Sequence, residues 1–305
     1  MQTRVRAAII RAPMLRPLVS IAFVVAALAG QEDAPAPAKL RHGLEAAEPF
    51  RFAIEVGTRL SHESQKQDTS MRFAMQFRAE PGATREGATT VSCTLESLIV
   101  HADSPNTTIR FDSADVKSDS GPLQRLRDLK GATFVLAIEP TGTIRSAEIP
   151  SPLAKLADEH LGSDFRSLFA TYFVPLPDAP RAAGDEWEAT TRMFGTRIGD
   201  LETPTHLRCT ANAEGRAEIE MQFEAPNPPQ RPGVRFELRR ADGKAVLDTT
   251  KGRVVSAEAT LLARATRLAG GANPTATSQV QVRATLLPDE PKPTTTQLPE
   301  GGAKN

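Results

Sequence analysis

The residues of this 305-residue chain that could carry out chemistry are few and badly spaced for it. His42, His62, His101, His160 and His206 are scattered. No two stand at i, i+3 or i+4 of one element, and neither H-E-x-x-H nor C-x-x-C occurs, so a zinc centre has no motif behind it. There is no G-x-S-x-G elbow to present a nucleophilic serine. Ser92-Cys93 has no base beside it in sequence, and a cysteine facing inward from a strand is ordinarily inert packing. Gly270-Gly271 lacks the helix start and lysine that would cradle a phosphate. The carboxylate pairs Asp158-Glu159 and Asp185-Glu186 are adjacent residues, and adjacent residues on a strand point to opposite faces. Glycoside hydrolysis needs two carboxyls facing each other across a cleft at about 5–9 Å. Gly184-Asp185-Glu186-Trp187 instead reads as a turn into a strand anchored by Trp187. Asn106-Thr-Thr108 fits a glycosylation sequon but reads as a plain turn. No catalytic residue, metal ligand or cofactor is therefore expected, and the chain is not expected to be an enzyme.

The remaining residues of interest are apolar. Phe165, Leu168, Phe169 and Tyr172 recur at i, i+3, i+4 and i+7, a broad helical stripe. Met71, Phe73, Met75 and Phe77 alternate with Arg72, Gln76 and Arg78, the pattern of a strand with one buried face. These eight side chains are the candidate lining of an apolar ligand site; the plainer reading is that they are core. Cys93 and Cys209 each sit in the apolar phase of a strand-like run, as Val91-x-Cys93-x-Leu95 and Leu207-x-Cys209-x-Ala211. Two readings stay open for them, one disulfide or two buried thiols.

The elements that must position these side chains are mostly strands. Phe50, Phe52, Ile54 and Val56 alternate with Arg51 and Glu55. Further runs cover 91–100, 107–112 and 134–138, with a Pro140-Thr-Gly142 turn returning through 143–149. A second block follows at 203–211, 217–224, 234–238, 245–248, 255–265 and 280–286, with turns expected at Asn212–Gly215 and Ala241–Lys244. In the run from Val255, that residue, Ala257, Ala259, Leu261, Ala263 and Ala265 are expected to face inward. Helical patterns occupy about 120–173, with Leu123, Leu126 and Leu129 on one face and Ser151-Pro152 as a helix start. The expected fold is a β-rich α+β one: a long antiparallel, curved sheet, a half-barrel or open barrel, with one or two helices on its concave face.

Both ends read differently. Arg4, Arg6, Arg11 and Arg16 precede an apolar run from Leu18 to Leu28, and Ala27-Leu28-Ala29 supplies a small-x-small cleavage pattern. Residues 1–30 are thus expected to be a signal peptide, the alternative being an uncleaved anchor. Gln31 stands where a lipid-bearing cysteine would be required. Residues 31–48 read as a disordered linker, 49–287 as a single domain, and 288–305 as a Pro-rich disordered tail. Without the four signal arginines, 33 basic residues face 37 acidic ones, about −4. That sign disfavours nucleic acid. No second apolar run of membrane length follows the signal, so an exported protein, periplasmic or extracellular, is expected.

The order of short motifs resembles a family of uncharacterised exported bacterial proteins, a domain of unknown function. These are Phe111-Asp112-Ser113, Gly131-x-x-Phe134, Pro140-x-Gly142-x-Ile144, Leu176-Pro177, Gly184-Asp185-Glu186-Trp187 and Leu247-Asp248-x-x-x-Gly252. The resemblance spans about residues 50–287 and carries no catalytic residues with it. The sheet-round-helix shape it implies is similar to the half-barrel of periplasmic lipoprotein carriers, an analogy of architecture. Two functions are compatible: a non-catalytic envelope protein holding an apolar ligand or lipoprotein in a concave sheet, or an interaction module with a closed core. A cavity of about 300 Å³ or more separates them.

Overall fold

Alternation in the sequence becomes alternation in burial. In a computed structural model, strand β1 (Phe50–His62) buries Phe50, Phe52, Ile54 and Val56 and leaves the residues between them partly open. The same rule builds β2 (Gln67–Arg85), β3 (Ala88–Ser104), β4 (Thr107–Asp112), β5 (Thr133–Ile138) and β6 (Ile144–Glu148). After helix α1 (Phe165–Tyr172) come β7 (Glu186–Met193), β8 (Leu201–Ala213), β9 (Arg216–Phe223), β10 (Val234–Asp248), β11 (Arg253–Arg267) and β12 (Thr275–Leu287). The structure describes residues 37–45, 47–62, 67–115, 126–151, 154, 165–193, 201–224, 234–267 and 275–288, all within one compact unit, Pro35–Asn305. The expected signal peptide, most of the helical pattern at 120–130 and 151–164, and the tail beyond Pro288 lie outside the described residues.

All twelve strands join one antiparallel sheet in the order β6-β5-β3-β2-β1-β12-β11-β10-β9-β8-β7, with β4 also pairing β3. The first and last strands therefore meet at the centre, and two meanders run outward from that seam. The ends, β6 and β7, are neighbours in the chain but opposite edges of the sheet. Ten strand steps of ~4.8 Å would hold them far apart in a flat sheet. Yet α1, eight residues and so about 12 Å long, touches β6 and β7 as well as β11 and β12. The sheet must curl until its edges approach the helix, which gives the expected curved, open sheet with a helix on its concave face.

Bulges correct the phase that simple alternation predicts. Between β2 and β3, Gln76 pairs Ser97 and Phe77 pairs Leu95, leaving Glu96 as an extra residue. Both Leu95 and Leu98 consequently point inward. The backbone freed there is caught: the Leu98 amide donates to Ser113 Oγ at 2.9 Å, and Leu95 exchanges bonds with Gly131 and Ala132. Between β10 and β11, Val246 pairs Ser256 and Leu247 pairs Val254. Val254 rather than Val255 is therefore the buried residue at the start of β11, while Ala257, Leu261 and Ala263 keep the expected face.

The turn expected at Ala241–Lys244 does not form. β10 runs straight through it, and Gly243 pairs Met221 on one side and Ala259 on the other. A Cβ on Gly243 would lie 2.6 Å from the Glu258 carbonyl oxygen and 2.9 Å from Met221 Cε. This glycine serves close approach of neighbouring strands, not positive φ. Tight turns form at Glu86-Gly87 and, within the turn expected at Asn212–Gly215, at Glu214-Gly215, each with both residues at positive φ, the conformation that two-residue hairpins need.

The expected structureless linker is not what residues 37–45 form. Ala38 and Arg181 exchange two bonds of 2.9 Å, the His42 amide donates to Pro140 O, and the Gly43 amide donates to Gly252 O. Leu40, His42 and Leu44 are buried. This strap ties the β5–β6 turn, the β10–β11 turn and the crossover after α1 together at one end of the sheet. Leu40, His42 and Leu44 stand at i, i+2 and i+4, a strand-like phase too short, and with a polar residue at its middle, to stand out beside the Pro/Ala-rich stretch before it.

Candidate functional site

The concave face has two unlike halves. Over β1, β2, β3 and β5 it is aromatic. Phe52 pairs Phe77 across the strands, and Cys93 pairs Phe134. Phe169 of α1 enters between them, with ring centroids 4.8 Å from Phe134, 5.3 Å from Phe77 and 6.1 Å from Phe52. Tyr172 stacks on Phe52 at 4.5 Å and meets Phe173 edge-on at 5.0 Å. Of the eight candidate lining residues, Leu168, Phe169, Tyr172, Phe73, Met75 and Phe77 are buried at 0–2% exposure. Met71 packs at their margin. Phe165 opens the helix, and its side chain lies outside the described residues. The structure thus gathers these side chains as one aromatic core.

Over β9–β12 the face is built of smaller residues. One cross-strand row reads Val56, Val282, Ala259, Gly243, Met221, Leu207, Trp187. At Ala259 and Gly243 this row carries small side chains, and Met221 reaches over Gly243. An apolar cleft results, lined by Ala170 of the helix and by Met221, Phe223, Leu261, Val280 and Val282. Its interior is only about 30 Å³. It adjoins a more polar cavity of about 280 Å³ that reaches the gap between the two sheet edges, with Thr143 on one side, Thr190 and Glu202 on the other, and Arg166 and Phe173 of the helix segment below. Ala170, Pro175 and Thr191 line both. Sequence reasoning missed this site because its signal is small side chains, which carry no motif. The small inner face of the run after Val255 was the available clue.

The groups that could titrate or react are spent elsewhere. His42 Nε2–H donates to the Val174 carbonyl at 3.0 Å, and burial pushes its pKa down to about 4. His206, on the outer face of β8, stands between Glu224 at 2.9 Å and Glu188 at 3.3 Å. The hydrogen bond to Glu224 raises its pKa. The two carboxylates approach different ring nitrogens, so they do not converge on one point. Among the described residues no group of three or more His, Cys, Asp or Glu could hold a metal ion. Asp185 caps the turn by accepting from the Ala182 amide at 2.8 Å, and Trp187 Nε1–H donates to Pro175 O.

Cys93 and Cys209 are both free and buried, so the bridge that sequence allowed is not formed. Seven strand steps separate β3 from β8 along the sheet, and the aromatic core occupies the hollow beside Cys93. Burial pushes the Cys93 thiol up to about 12 and also raises that of Cys209. Neither is a nucleophile at neutral pH.

Fold and site together define an open antiparallel sheet wrapped on a helix, with a narrow apolar cleft. No family model matches the chain, and no curated protein does. Among solved structures, a lipovitellin structure concerned with lipid–protein interactions superimposes with a TM-score of 0.51 at 9% identity, covering 82% of this chain. The match spans 26% of the lipovitellin chain, so this protein corresponds to about a quarter of that one. The likeness is one of fold. DynF from the dynemicin biosynthesis pathway of Micromonospora chersina (TM-score 0.23, 8% identity, 83% of this chain and 86% of that one) is far weaker. So is a DUF1329 family protein from Desulfovibrio piger (0.17, 8%, 80% and 87%). No helix among the described residues is long and apolar enough to cross a membrane.

Proposed function

We propose that this is an exported, non-catalytic binding module that takes an apolar chain into the cleft between α1 and strands β9–β12. The apolar cleft itself carries the reading, since it is the part of the concave face that the helix leaves uncovered. The export half of the reading rests on the N-terminal signal pattern. The non-catalytic half rests on the dispersal of histidines, thiols and carboxylates. Lipovitellin, whose structure concerns lipid–protein interactions, shares the sheet architecture and adds modest support. The cleft interior of about 30 Å³ and its polar mouth of about 280 Å³ both fall below the ~300 Å³ of a preformed site, so entry requires displacement of flexible side chains, of which Met221 is the most adaptable.

The filled aromatic half favours a second reading, a closed-core interaction module without a small-molecule ligand. Native mass spectrometry of the mature protein, purified without detergent, tells them apart. Mass adducts that extract as apolar molecules support the first. Bare protein that also fails to take up added amphiphiles leaves the second.

A further inference from the structure

Thr191 is where the apolar cleft meets its polar mouth. It lies on edge strand β7, faces inward, is 8% exposed and lines both cavities. Its Oγ1 is buried and has no hydrogen-bond partner among the described residues. A buried hydroxyl left unpaired is costly, and such groups call for a reason. Its neighbours show the contrast. Thr203, directly opposite on β8, donates to the Glu224 carbonyl, and Thr205 donates to the Thr203 carbonyl. Three inward threonines at this corner thus include two that satisfy themselves on backbone and one that does not. The unsatisfied one is the one bordering the cleft.

Resting on the proposed apolar-chain reading, we infer that the ligand is a single-chain amphiphile with a carbonyl-bearing head, an acid or an ester. It enters through the gap between β6 and β7, with its chain under α1 and its carbonyl accepting from Thr191 Oγ1–H. The order of surfaces supports this assignment. The mouth is polar, the hydroxyl sits at the boundary, and beyond it the walls are Met221, Leu261, Val280 and Val282. A ligand without a polar head would leave the hydroxyl as unsatisfied as it is now.

The test uses the mature chain and three soluble probes measured by calorimetry: dodecanoic acid, monododecanoylglycerol and dodecyltrimethylammonium, the last having no hydrogen-bonding head. One site per chain is expected. Thr191→Val should weaken the acid and the ester about five- to tenfold, the effect of one hydrogen bond, and leave the ammonium probe unchanged. The same variant should raise Tm of the empty protein, because it removes an unpaired hydroxyl. Ala259→Phe, or Ala170→Phe from the helix side should the first misfold, should abolish binding of all three. If Thr191→Val lowers all three affinities alike or none of them, the head-group assignment is wrong while the apolar-chain reading stands. If the filling variants bind as well as wild type, the location is wrong. If the wild-type chain binds none of the probes, the proposed function itself falls.

Discussion

The two halves of the concave face use the same backbone and differ in side-chain volume alone. Over β1–β5 the inward face carries Phe52, Phe77 and Phe134, and α1 answers with Phe169 and Tyr172, so rings fill the space between sheet and helix. Over β9–β12 the face opposite Ala170 carries Ala259 among Leu261, Val280 and Val282, and a narrow cleft remains. One sheet can thus be a core on one side of its central seam and a binding wall on the other. The helix is the shared part: its aromatic residues face one half and Ala170 the other.

If that division is right, the largest loss should come from the filled half. Phe169→Ala removes the ring that touches Phe52, Phe77 and Phe134. It should cost about 3–5 kcal/mol, read from urea unfolding. An equally large loss from a truncation at Leu261, on the cleft wall, would erase the distinction between the halves.

The strap provides the next largest effect, and it depends on pH. His42 has a folded pKa of about 4 against an ordinary value of 6.5. Below pH 6.5 the unfolded chain takes up a proton that the folded chain refuses, so stability falls as pH drops from 6.5 to about 4 and levels off below. The full loss is about 3 kcal/mol. Urea midpoints across that range should show the slope in wild type and a flatter line in His42→Gln. An unchanged slope in the variant would assign the dependence to other groups.

Gly243→Val tests whether the small residues of the second half are there by necessity. The added carbon meets the Glu258 carbonyl at 2.6 Å, a backbone atom that cannot swing aside. A loss of about 1–3 kcal/mol is expected, as for other overpacked sites. Ala259→Phe adds a ring larger than the cleft interior of about 30 Å³, and should cost about 1–3 kcal/mol for the same reason. The smallest effect, of opposite sign, belongs to Thr191→Val, a gain of up to about 1 kcal/mol. A loss there would mean that the hydroxyl has a partner in the folded chain.

Much of this was legible. The alternating runs at Phe50–Val56 and Met71–Phe77 placed β1 and β2 in the correct phase, and the helical stripe at Leu168, Phe169 and Tyr172 was recognised as an apolar face. The Pro140–Gly142 turn and the Trp187 anchor were also read from residue type. Other features were not. Asp242-Gly243 has the composition of a hairpin turn and lies in mid-strand. Glu86-Gly87, a less typical turn pair, makes a hairpin that residue type did not signal, whereas Glu214-Gly215 falls inside the turn expected at Asn212–Gly215. Local preference there is worth only tenths of a kcal/mol to about one, and pairing across two neighbouring strands outweighs it. The buried strap at Leu40, His42 and Leu44 reads as linker in sequence, because its alternation covers only five residues and follows a Pro/Ala-rich stretch.

By itself the sequence determined most of the strand runs, the buried faces of β1 and β2 and the apolar stripe of the helix, since side-chain period and volume act through near neighbours and need no knowledge of the rest of the chain. Which strands meet was decided only by tertiary structure. Pairing β1 with β12 put β6 and β7 at opposite edges, forced the curl, and set α1 across both halves. That arrangement made Phe169 core, left Cys93 and Cys209 seven strands apart as free thiols, and placed Thr191 at the mouth of a cleft. Each of these outcomes depends on residues far apart in the chain, and local periodicity says nothing about which of them will touch.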